Sequence, residues 1–287
     1  MEATELLKKV RRIEIKARGL TRHIFAGEYH SAFKGRGIAF SEVREYQYGD
    51  DIRSIDWNVT ARFNHPYVKV YEEERELTVM LLIDVSNSGN FGSTVSFKRD
   101  IMTEIAAVIS FSAIFNNDKI GVVFFTDMVE KFIPPQKGRK HILRIIRELL
   151  DFRPRSSRTN LGEPLRFLTN AIKKRCTAFV ISDFLAPEFE ESLKIAANKH
   201  DIVALKVSDP LEKELPDVGF LKVHDSESGT EKWVDTSSKL IRRGYADWWI
   251  THSESLKNTL KRSGVDFAEL STHEDYVRPL IRLFENR

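Results

Sequence analysis

Asp84, Ser86 and Ser88 occupy alternate positions directly after the apolar run Leu81-Leu82-Ile83. Thr159 follows in Arg158-Thr159-Asn160-Leu161-Gly162, and Asp183 closes Phe179-Val180-Ile181-Ser182. These five side chains offer oxygen and nothing softer. Such a set suits a hard divalent cation, Mg²⁺ above all, because Mg²⁺ takes oxygen ligands and keeps several waters. Mn²⁺ and Ca²⁺ accept the same ligands. The same residue types also close turns and cap helices, so the elements around them must decide between the two readings.

The runs that end at Asp84 and Asp183 are apolar and β-branched. They read as strands buried on both faces, the pattern of parallel sheets covered by helices. In open α/β sheets ligands gather outside the carboxyl ends of the strands, where strand order reverses. From residue 77 onward the chain alternates. Strands are predicted at Leu77–Ile83, Ile120–Phe125, Val129–Ile133, Ala178–Ser182, Ile202–Val207 and Val265–Phe267. Pro134-Pro135 is expected to end the third of these. Helices are predicted at Ser96–Phe115, His141–Leu150, Gly162–Lys173, Ser238–Lys261 and Tyr276–Phe284. The first of them is expected to bury Phe97, Ile101, Ile105, Val108 and Phe115. A hairpin pairs Phe220–Val223 with Lys232–Val234 around the polar turn Asp225-Ser226-Glu227-Ser228-Gly229. The alternation predicts a doubly wound, mostly parallel α/β sheet with right-handed crossovers.

Ahead of that domain, Leu6, Val10, Ile13, Ala17, Leu20 and Ile24 recur at helical spacing among seven Lys and Arg residues between Lys8 and Arg22. This basic amphipathic helix is expected to pack on its own domain; peripheral contact with an anionic membrane or an acidic partner is the alternative. Short strands follow at Ile38–Phe40 and Val68–Tyr71, flanking Arg44-Glu45-Tyr46-Gln47-Tyr48-Gly49-Asp50-Asp51-Ile52-Arg53-Ser54-Ile55-Asp56-Trp57. Charges of alternating sign about a Gly turn read as ion pairs, with Trp57 as a core anchor. A docking surface beside the metal is the alternative. The domain reading is therefore 1–75 for the helix and short-strand extension, and 76–287 for the α/β domain with its hairpin near 218–235.

The set Asp84, Ser86, Ser88, Thr159 and Asp183 resembles the metal-ion-dependent adhesion site of von Willebrand factor A domains. That resemblance implies three hydroxyls on the metal, two Asp acting largely through water, and an open position filled by an Asp or Glu of a partner protein. Gly35-Arg36-Gly37, Phe40, Arg44, Tyr46, Gly49-Asp50-Asp51, Arg53, Ile55-Asp56-Trp57, Ala61-Arg62 and Glu73-Glu74 resemble the bacterial family called domain of unknown function fifty-eight, over about residues 10 to 250. One departure is Gly89-Asn90-Phe91, where many relatives place Met directly after the second serine. The family resemblance implies a MoxR-type AAA+ ATPase, or its client, as partner in chaperone-like maturation or assembly. Many relatives carry transmembrane helices near the N-terminus, a feature this sequence does not repeat.

Other chemistry leaves little trace. No phosphate-binding loop, His-Glu-x-x-His pair or nucleophile elbow occurs, and no catalytic residue or organic cofactor is assigned. The single Cys176 opens the strand that ends at Asp183 and reads as a buried, inert thiol. A net charge of +3 is too small to argue for nucleic acid, so RNA binding through the N-terminal helix is a weak third reading. With no long apolar run and no signal peptide, the expected location is cytoplasmic. The expected function is a non-enzymatic, metal-dependent protein-interaction module. The alternative is a metal-dependent phosphoesterase on the same site, against which Ser86 counts: it stands where such enzymes place a second acid.

Overall fold

The computed structural model describes residues 3–24, 38–73, 77–90, 97–186, 188–224 and 230–287. Phe25, Gly35-Arg36-Gly37, Glu74, Phe91, Ser96 and the turn Asp225–Gly229 lie outside them. The chain divides into two compact units, residues 34–77 and the remainder.

The larger unit is built on a six-stranded sheet. Its strands are β3 (Thr78–Asp84), β4 (Lys119–Phe125), β5 (Val129–Gln136), β6 (Thr177–Ser182), β7 (Asp201–Ser208) and β10 (Asp266–Ser271). They lie in the order β10-β7-β6-β3-β4-β5, all parallel except β5. Val79–Ile83 and Ala178–Ile181 are buried, as strands covered on both faces must be. The chain moves from β3 outward to β4 and later returns to lay β6 on the other side of β3. Strand order thus reverses between β3 and β6, which leaves a crevice at their carboxyl ends.

Helices cover both faces. Helix α1 (Ala3–Ile24) packs with α3 (Lys98–Phe115), α4 (Arg139–Asp151) and α8 (Val277–Glu285). Phe284 of α8 meets Phe179 of β6 on that side. The opposite core joins Met80, Leu82, Ala178, Val180 and Ala204 to α5 (Gly162–Ala171), α6 (Glu190–Lys199) and the long α7 (Lys239–Arg262). Val10, Ile13 and Ala17 bury the stripe of α1, and Lys9 and Lys16 reach Asp100 and Glu104 of α3 at 2.8 and 2.5 Å. The basic helix therefore belongs to this unit and not with the short strands.

Some expectations need correction. Phe97 and Phe115 are exposed, because they lie at the two ends of α3, beyond the stripe that meets the sheet. Pro134 and Pro135 do not end β5, which continues to Gln136. As an edge strand it lacks one neighbour, so a missing N–H is tolerated, and the register shifts between Ile120 and Val122. Gly121 permits the approach, since a Cβ there would stand 2.9 Å from Pro135 N. Helix α6 was not anticipated. After β7 come the 3₁₀ turn Pro210–Glu212 and the hairpin of β8 (Phe220–His224) and β9 (Glu231–Asp235).

The smaller unit pairs β1 (Ile38–Glu45) with β2 (Tyr67–Glu73) antiparallel, with a bulge between Phe40 and Glu42. Arg44 clasps Asp50 through its two terminal guanidinium nitrogens at 2.8 and 2.7 Å. Gly49 turns the chain at φ 107°. Asp56 caps α2 (Trp57–Phe63) by accepting from Asn58 N and Val59 N, and it faces Lys69 at 3.4 Å. The ion pairs expected here are present. Trp57 is not a core anchor: it is 67% exposed, as are Tyr48, Ile52 and Phe63 to comparable or greater extent.

Candidate metal centre

Asp84 ends β3 and Asp183 follows β6, so the sheet itself places both carboxyls at the reversal crevice. Each is almost fully buried. Asp84 Oδ1 accepts from Ser86 N at 2.9 Å, and Oδ2 accepts from the Ser182 hydroxyl at 2.7 Å. The Ser86 and Ser88 hydroxyls are 3.1 Å apart, and Ser88 hydrogen bonds to Asp183. Four of the five sequence-selected residues therefore form one hydrogen-bonded cluster. Phe184, the residue after Asp183, is held at φ 58° with its N–H on Ser182 Oγ at 3.1 Å. A bulky residue in the left-handed region is uncommon and marks a sharply constrained turn.

Thr159 arrives on the loop between α4 and α5. Asn87 N donates to Ser157 O at 3.4 Å, and Asn160 N donates to Thr126 O at 3.0 Å, which ties this loop to the ends of β3 and β4. Glu130 steadies it by accepting from Arg155 N at 2.9 Å and Ser156 N at 3.3 Å. Thr159 is buried, and its Oγ1 has no hydrogen-bond partner among the described residues. A buried hydroxyl without a partner is costly, so this atom is free to serve an added ligand.

The electrostatics are uneven. Burial, and then the charge of Asp183, push the Asp84 carboxyl up to about 7. Burial opposes ionisation of Asp183 too, but the Lys98 ammonium, Leu185 N–H and Ser88 outweigh it and hold that carboxyl below its ordinary value. Lys98 is fully buried, with Nζ 2.9 Å from Asp183 Oδ2 and 2.5 Å from Glu212 Oε1. Asp209 and Glu212 form a reciprocal capping box around Pro210, and Thr272 donates to Asp209 at 2.6 Å.

Sequence reasoning missed Ser182, Lys98 and Glu212. A faint signal existed for Lys98, since a cation in the first turn of a helix opposes the helix dipole. Asp209-Pro210-Leu211-Glu212 also spells a capping box. Among the described residues no group of three His, Cys, Asp or Glu could hold a metal. An ion here would lean on hydroxyls, and the donor set fits a hard cation that retains water. Cys176 is buried at the far end of β6, 3.3 Å from His200 Nδ1, and burial followed by the charge of Asp201 pushes its thiol up to about 12. Its burial is as expected.

Sheet order and helical layers define a doubly wound, mostly parallel α/β domain. The chain belongs to the family described as "Protein of unknown function DUF58", whose profile matches residues 42–255. It is 30% identical over 286 residues to "Uncharacterized protein Mb1516" of Mycobacterium bovis, covering 99% of this chain and 90% of that protein. Among solved structures it resembles the conserved hypothetical protein BatB from Bacteroides thetaiotaomicron, at TM-score 0.50 and 14% identity, over 73% of this chain and 98% of that one. An aerotolerance-related membrane protein from Bacteroides fragilis matches at the same TM-score and identity, over 73% and 97%. These likenesses concern the fold. No helix among the described residues is long and apolar enough to cross a membrane.

Proposed function

We propose that this protein is a cation-dependent protein-interaction module. Asp84, Ser86, Ser88, Thr159 and Asp183 would hold one divalent ion, Mg²⁺ first and Mn²⁺ or Ca²⁺ as alternatives. The ion would supply an electrophilic position for an Asp or Glu of a partner protein. The observation that carries this reading is the buried Thr159 hydroxyl, which has no hydrogen-bond partner among the described residues and lies on a loop tied to the ends of β3 and β4.

The charge distribution supports it. Asp84 is buried beside a second carboxyl and resists ionisation. A cation would relieve that repulsion and draw the carboxyl into its charged form. Ser182 and the backbone of Ser86 orient Asp84, while the Ser86 and Ser88 hydroxyls stand on one turn beside it. Two carboxylates leave the ion short of negative charge, which favours an added carboxylate from outside. The family resemblance suggests a MoxR-type AAA+ ATPase or its client as the source.

Titration calorimetry with Mn²⁺ or Mg²⁺ should show one site, abolished in Asp84→Ala with the far-UV spectrum intact. Undiminished affinity in that variant would overturn the assignment. Capture of the cognate ATPase should fall with EDTA and in the Ser86→Ala, Ser88→Ala double variant. Cation-dependent phosphoester turnover that vanishes in Asp84→Ala would establish the phosphoesterase reading instead.

A further inference from the structure

Lys98 is fully buried, and it stands at the first position of α3, where a cation opposes the helix dipole. A lysine is rarely buried so completely unless it is paired. Its ammonium is shared between Asp183 Oδ2 and Glu212 Oε1. Glu212 is itself fixed, since its other oxygen accepts from Asp209 N at 2.9 Å and its carbonyl accepts from Tyr245 OH at 2.8 Å. Leu185 N–H occupies Asp183 Oδ1 at 3.2 Å. Both oxygens of Asp183 are thus already engaged by donors of this chain.

On the reading that the crevice holds a divalent ion, we infer that Lys98 is a built-in competitor for that ion: it occupies Asp183 and keeps the site's intrinsic affinity low, so that firm occupancy depends on a carboxylate brought by the partner. The physical reason is the placement of a positive charge in a buried setting, where like charges repel far more strongly than in water. Glu212 acts as the second anchor of the ammonium. It draws part of the positive charge away from Asp183 and adds a negative charge of its own. Lys98 and Glu212 are positioning residues in this scheme, acting through Asp183.

Two substitutions should therefore move affinity in opposite directions, which a merely structural pair would not do. Lys98→Met keeps the length and removes the charge; Glu212→Gln keeps the shape and commits the ammonium to Asp183. Mn²⁺ alone is titrated into wild type, both variants and Asp84→Ala by calorimetry, near pH 8 so that carboxyls stay ionised. Lys98→Met should bind Mn²⁺ about tenfold more tightly or better. Glu212→Gln should bind it at least about threefold more weakly. Without metal, Lys98→Met should melt lower, since buried carboxylates lose their counter-charge, and Mn²⁺ should raise its melting temperature by more than that of wild type. If Lys98→Met does not fold, the weakening in Glu212→Gln still decides. Wild-type binding that is lost in Asp84→Ala, combined with equal or weaker affinity in folded Lys98→Met or unchanged affinity in Glu212→Gln, would overturn the role of Lys98 alone. Absence of Mn²⁺ binding in all four proteins would overturn it together with the cation reading.

Discussion

Ser182 donates its hydroxyl to Asp84 Oδ2 at 2.7 Å, from the last residue of β6 to the last residue of β3. The dipeptide Ser182-Asp183 thus contributes one residue to the carboxyl pair and a brace for the other member. The same Ser182 oxygen accepts from Phe184 N, so it also helps hold the turn that follows Asp183. Ser182→Ala should cost about 1–3 kcal/mol, because it leaves a buried carboxyl and a buried N–H each short of a partner. It should also weaken Mn²⁺ binding without abolishing it, since Ser182 orients Asp84 and is not among the proposed ligands. Denaturant unfolding and calorimetry on the same preparation measure both effects. Unchanged stability would show that water replaces the brace.

Thr159 makes a sharper test, because its hydroxyl has no partner among the described residues to lose. Thr159→Val replaces that hydroxyl with a methyl of similar volume. Without metal the variant should be as stable as wild type within roughly 0.5 kcal/mol, or more stable. With excess Mg²⁺, wild type should gain stability through binding to the native state alone, and the variant should gain little. Thermal melts with and without Mg²⁺ provide the comparison. A variant that is destabilised without metal yet gains as much as wild type from Mg²⁺ would remove Thr159 from the site.

The ends of β3 and β6 were legible because Val79–Ile83 and Ala178–Ile181 are uninterrupted apolar runs that stop at polar residues. That pattern is local, and so is the 3.6-residue stripe of α1. Lys98 was not legible, because its burial is decided by Asp183 and Glu212, 85 and 114 positions away. A lysine alone in sequence reads as a solvated residue. Pro134-Pro135 misled for a similar reason: whether a strand tolerates proline depends on whether it lies at a sheet edge, and sheet order is a tertiary fact. Glu190–Lys199 went unread because a ten-residue helix with Leu193 and Ala196 as its buried apolar residues carries little periodic signal. Trp57 escapes a reading from hydrophobicity because hydrophobicity does not ensure burial: among the described residues of its unit, Val68 alone is a buried apolar side chain.

His200 sets a pH dependence remote from the crevice. It is buried beside Cys176, and burial, followed by the charges of Lys199 and Arg175, lowers its pKa to about 4. In the unfolded chain it titrates near 6.5, so between these values the unfolded state binds more protons than the folded one. This contribution to stability is therefore fully present above about pH 6.5 and is lost as pH falls toward about 4. The loss is on the order of 3 kcal/mol at most. His200→Asn, which keeps a nitrogen for Cys176 and cannot titrate, should flatten this part of the curve. Denaturant midpoints of both proteins from about pH 7 to about pH 4 test it. Parallel curves would mean that His200 becomes protonated without unfolding.

Trp57 begins α2 directly after the capping Asp56 and is 67% exposed, in a segment that also carries the Arg44–Asp50 clasp. Removing a buried tryptophan typically costs about 3–5 kcal/mol. An exposed one away from any core contributes far less, so Trp57→Ala should shift stability by no more than roughly 0.5 kcal/mol. Asp56→Ala should instead loosen the start of α2, since Asn58 N and Val59 N lose their acceptor. Proteolytic susceptibility of residues 57–63 would report that loosening, and denaturant unfolding would report the global effect. A pair in which Trp57→Ala is mild and Asp56→Ala exposes α2 to protease assigns the motif a scaffolding role, with Trp57 as the residue displayed. A loss of several kcal/mol in Trp57→Ala would return the ring to the core and refute the exposure described above.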